Sequence, residues 1–160
     1  MAVRAISFAF VLTWLPLQTA TAKEDLGCGQ WRAFVASVQP GQTRSLAFRT
    51  SWGSRFKDDQ DQSGDYVMLA KRCEHHEYGP AQAVCAHLME HGAVEFSDLN
   101  LKDAVTCLAH NTQLDSKLSF ENALMSLTYG TDDRGAHVEL EYVEDPQVGG
   151  MVLKVTAAGY

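Results

Sequence analysis

The chain has 160 residues, with 20 acidic and 13 basic side chains and a formal charge of -7. Such a surface repels nucleic acid and anionic membranes, so neither is expected as a partner, whereas a cationic protein would be attracted. The length suits one domain with a real core.

The opening residues have the order of a secretory signal peptide. Arg4 precedes an apolar run from Ala5 to Leu17, and Ala20-Thr21-Ala22 follows as a cleavage site. The run is too short for a membrane span. The expected mature chain is 23–160, and losing Arg4 takes the formal charge from -7 to -8. Cys28 is separated from the apolar run by Lys23, Glu24 and Asp25, so it reads as an ordinary cysteine and not a lipid anchor. Export to a periplasmic or extracellular location, in a bacterium given the absence of N-x-[ST] sequons, is the expectation. Four cysteines in an exported chain imply two disulfides.

Trp31, Phe34, Val35 and Val38 form one helical stripe, stopped by Pro40-Gly41. Residues 44–52 alternate, with Leu46, Phe48, Thr50 and Trp52 on one face, and read as a strand. A polar stretch spans 53–64. Residues 65–73 form a second strand, apolar enough to be central in a sheet. Helix 80–91 starts at Pro80 and stops at Gly92, with Ala81, Val84, Cys85 and Leu88 on one face. Asn100 reads as the N-cap of a helix to residue 110, whose stripe is Leu101, Ala104, Val105 and Leu108. Three strands follow, 123–129, 136–143 and 151–157, separated by turn formers. In the middle one, His137, Glu139 and Glu141 mark a wet face. The expected fold is a single α+β domain. An antiparallel sheet of about five strands carries the first helix and a helical hairpin on one face.

If 80–91 and 100–110 form an antiparallel hairpin, Cys85 and Cys107 lie at one level. That pairs Cys85 with Cys107 and Cys28 with Cys73. The former would close a loop of about 20 residues, worth about 3 kcal/mol on the chain-entropy account.

Two short patterns invite a metal. Asp59, Asp61, Ser63, Gly64 and Asp65 follow the first half of an EF-hand-type calcium loop, but position twelve is Ala70 where a bidentate Glu belongs. His87, Glu90 and His91 match H-x-x-E-H, in which two histidines one helical turn apart bind Zn²⁺ and the Glu acts as base. Only Asp103 is on offer as a third ligand. Both patterns have simpler readings: a solvated turn in the first case, and polar residues flanking a core stripe in the second. Calcium and zinc are therefore minor alternatives, and no cofactor is expected. The "CEHHEYG" segment, 73–79, reads as a polar connection. No nucleophile elbow, C-x-x-C or phosphate loop appears.

The favoured reading is a non-enzymatic, exported, acidic binding protein, of an inhibitor or immunity type. The alternatives are a small metal-dependent hydrolase and a calcium-binding envelope protein. The candidate partner surface is loop 53–65, with Trp52, Phe56, Asp58, Asp59 and Asp61, or the wet strand with Tyr142.

Overall fold

The structure is a computed structural model that describes residues 26–59, 67–109, 112–115 and 117–160. The signal-peptide segment 1–22 lies outside the described residues. Three helices, α1 (Leu26–Ala36), α2 (Gly79–His91) and α3 (Asp98–Leu108), accompany five strands. These are β1 (Thr43–Trp52), β2 (Leu69–Glu74), β3 (Ala123–Gly130), β4 (Gly135–Glu144) and β5 (Met151–Gly159).

All strand pairs are antiparallel, in the order β2-β1-β5-β4-β3. The expected α+β architecture is therefore present as a five-stranded antiparallel sheet with three helices. Period-two alternation places the apolar side chains of different strands in shared rows. Leu46, Val155, Leu140 and Met125 form one row across β1, β5, β4 and β3. Phe48, Leu153, Tyr142 and Ala123 form the next. The helices cover this face. Trp31, Phe34, Val35 and Val38 are buried from the first helical segment, as their spacing predicts. Each large apolar side chain so buried contributes about 1.5–3 kcal/mol.

Several sequence expectations change. First, β2 begins at Leu69 and lies at the sheet edge, not at its centre. It is half exposed throughout, because only β1 pairs with it. Second, α2 and α3 are not packed as a hairpin. The first helix packs against both, and they barely touch each other. Third, the disulfides follow that arrangement: Cys28 pairs with Cys107, and Cys73 with Cys85. The Cys85–Cys107 and Cys28–Cys73 pairing fails because α1 is the neighbour that meets α3, while α2 packs on β2. Arg32 Nε, donating to the Cys107 carbonyl at 3.0 Å, reinforces the α1–α3 contact.

The N-cap assignment also moves. Ser97 precedes α3, and Asn100 lies within it. Asn100 is buried for another purpose: its amide accepts from the Ala93 N–H and donates to the carbonyls of Ala93 and Ser97, at 2.8–2.9 Å. That pins the α2–α3 connection.

Candidate functional site

Among the described residues, the opposite sheet face carries no helix. His137 and Glu139 are exposed there, as the alternation of β4 requires, and Glu141 sits across from Lys154 of β5. Arg49 and Arg72 are also directly opposed on this face. Two like charges there repel, and carboxylates offset them. Arg49 pairs with Asp145 and, at 3.4 Å, with Glu74. Arg72 pairs with both Asp58 and Asp59 at 2.6 Å.

That network reassigns much of the expected partner surface. The guanidinium of Arg72 lies 4.7 Å from the Phe56 ring centroid, and Phe56 is buried beneath it. Phe56 is thus an anchor for its own loop rather than an exposed contact. The hydrogen bond from Arg72 holds the Asp58 carboxyl below the ordinary aspartate range. Asp145 is lowered too, first by the Val148 N–H, with Gln147 N–H and Arg49 adding to it. The described acids of loop 53–65 are therefore both engaged within the chain, sharing the single guanidinium of Arg72. Trp52 remains half exposed, beside Leu69, its cross-strand partner, and Met68. Asp61, Ser63 and Asp65 lie outside the described residues.

The histidine pair is close, with the rings of His87 and His91 4.9 Å apart and His91 Nε2 at 3.6 Å from Glu90. A side chain at Gly27 would meet the His87 ring at 2.7 Å, so His87 packs against the start of α1. No group of three or more metal-ligating side chains comes together among the described residues. Asp59, the first expected calcium ligand, is engaged by Arg72. In the 73–79 connection, His76 and Glu77 both have positive φ, and the Tyr78 N–H donates to the His75 carbonyl at 2.9 Å. That is a tight two-residue turn of the primed kind, joining β2 to α2.

A different place gathers four acids, three of them unpaired among the described residues. The α2–α3 connection, the start of α3, residues 119–122 and the adjoining ends of β4 and β5 enclose a cleft of about 420 Å³. Glu95, Asp98, Glu121 and Glu144 line it, together with Phe96, Phe120, Tyr142 and Met151. No basic side chain is in the described lining. Asp98 is buried and committed, accepting from Lys102 Nζ at 2.8 Å and from the Phe120 N–H at 3.3 Å. This fixes one wall of the cleft to α3. The other three carboxylates are exposed at its rim, and Phe96 is 65% exposed.

Tyr142 forms part of the lining from below. It is buried on the helix-covered face, not displayed on the wet face of β4, because even-numbered positions of that strand point inward. Its hydroxyl is 2.6 Å from Ser97 Oγ. Burial raises its pKa above the usual tyrosine value, so it stays a neutral hydrogen-bonding group.

Most of this cleft is absent from the sequence reading. The signal that could have found it is the recurrence of acid beside phenylalanine in two turn segments, Glu95-Phe96 and Phe120-Glu121. Comparison with known proteins finds no matching family model, curated protein or solved structure.

Proposed function

We propose that this chain is a small exported binding protein whose cleft receives a cationic segment of a partner protein. It would act by contact, as an inhibitor or immunity-type protein does. The observation that carries this reading is the cleft itself: three exposed carboxylates and an exposed Phe96 surround a recess that no base lines among the described residues. Carboxylates and an aromatic face are together the complement of an arginine or lysine side chain. Excess negative charge over the whole chain would speed encounter with a basic partner. Export is supported by two disulfides with no free cysteine among the described residues. No described helix is long and apolar enough to cross a membrane. The hydrolase and calcium alternatives gain no comparable support.

The test is a calorimetric titration with an arginine-rich peptide and its glutamate-substituted counterpart. The triple variant Glu95→Gln, Glu121→Gln, Glu144→Gln should weaken the basic peptide at least about 30-fold, from roughly 0.7 kcal/mol per rim charge. Binding should also weaken with salt. Equal binding of both peptides, or an unaffected triple variant, would remove the cleft from consideration.

A further inference from the structure

The two edges of the sheet are treated differently. β2 has Lys71, Arg72 and Glu74 within six residues, and α2 packs against it. Charges and a covering helix are the usual protections of an edge. β3, at the other edge, reads Ala123-Leu-Met-Ser-Leu-Thr-Tyr-Gly130, with no charge and no proline in eight residues. Its pairing runs in unbroken register with β4, so no bulge twists it away. Among the described residues, no other segment forms backbone hydrogen bonds along its outer side. The apolar side chains at this margin are also incompletely covered. Leu124 is 69% exposed, while Met125, Leu127 and Tyr129 are only half buried.

We propose that β3 pairs antiparallel with β3 of a second copy, joining two sheets into one of ten strands. The occupant is a second copy because the strand is complementary to itself. A two-fold axis perpendicular to the sheet preserves both faces, so odd positions meet odd and even meet even. With the axis through Ser126, Met125 faces Leu127 of the second copy, small Ala123 faces large Tyr129, and Leu124 faces Thr128. Every helix-side pair is apolar, and no like charges meet in a chain that otherwise carries a formal charge of -7. An eight-residue edge of about 27 Å is small beside a standard interface, so the dimer forms reversibly and depends on concentration. The inference stands apart from the cleft, whose acidic side chains it does not use.

Sedimentation equilibrium of the oxidised protein up to about 1 mM tests it. The expected result is a two-fold rise in mass across the range, strengthened by salt because both copies are acidic. Ser126→Lys with Thr128→Lys should abolish the rise, and Leu124→Lys alone should weaken it at least about tenfold. All three positions are exposed, and unchanged melting temperatures and near-ultraviolet dichroism would verify folding. Ser126→Cys, at the axis, should crosslink two copies under mild oxidation, whereas Glu139→Cys on β4 should not. A single-chain mass at about 1 mM would leave the edge to an extended segment of another protein and overturn the proposal. A dimer that survives both lysine variants would place the interface elsewhere and overturn it equally.

Discussion

Removing the two disulfides one at a time should destabilise the protein unequally. Cys28 and Cys107 are 79 residues apart, while Cys73 and Cys85 are 12 apart and lie within that larger loop. On the chain-entropy account the larger closure is worth about 4.5 kcal/mol and the smaller about 3 kcal/mol. Closing the inner loop first shortens the free chain of the outer one, which lowers its value by only about 0.1 kcal/mol. Packing works in the same direction. Cys28 and Cys107 are both buried, whereas Cys73 is half exposed. The double variant Cys28→Ala/Cys107→Ala should therefore lose at least about 1.5 kcal/mol more than Cys73→Ala/Cys85→Ala. Against a typical stability of 5–15 kcal/mol, the first loss brings the fold toward its limit. Urea unfolding of both variants measures the difference, with each curve extrapolated to water on its own slope, because losing a cross-link expands the denatured chain. Equal losses, or a larger loss for the inner pair, would refute the entropic reasoning. Thiol titration in denaturant checks the pairing itself. Both variants should have no free thiol, while Cys28→Ala/Cys73→Ala should have two, or an illegitimate Cys85–Cys107 bridge with a marked loss of stability.

Three further outcomes follow from single groups. Asn100→Ala should cost about 3 kcal/mol in urea unfolding, since the buried Asn100 amide loses three hydrogen bonds to Ala93 and Ser97 at about 1 kcal/mol each; a cost under about 1 kcal/mol would contradict that role. Gly150→Ala should lower stability by about 2–3 kcal/mol, because φ is +77° and the added Cβ would lie 2.1 Å from the Thr50 carbonyl oxygen; a neutral result would contradict the close approach. The lowered carboxyls of Asp58 and Asp145 contribute stability that is present above the ordinary aspartate value of 3.8 and is lost as pH falls through their lower folded values. Melting temperature should thus fall below about pH 4. Arg72→Ala, which removes the largest influence on Asp58, should shrink that acid-dependent loss, and an identical acid limb in the variant would count against the ion pair.

The elements were legible because each is written in a local period. Leu46, Phe48 and Thr50 alternate, and Trp31, Phe34, Val35 and Val38 recur by the helical turn, so burial follows from spacing alone. The wet side of β4 was readable in the same way. Tyr142 belongs to the opposite parity, and its place under the helices follows from that same period once the covered face is known. The class of fold and the presence of two disulfides came from the order of elements and the even cysteine count.

What pairs with what was decided only by the folded chain. Residues 65–73 look central because Val67, Met68 and Leu69 are apolar, yet β1 finds its second neighbour in β5, more than a hundred residues later, and leaves β2 at the edge. Sequence adjacency suggested that α2 and α3 pack together, but α1 takes the place beside each of them, and the disulfides follow. The acids of 57–59 looked available because their countercharge, Arg72, is on another strand. The cleft is built from four separate stretches of chain, none of them distinctive alone. Local periodicity sets which side of an element is apolar. Which neighbour covers that side depends on the packing of the whole chain, and both the cleft and the edge position of β3 are products of that packing.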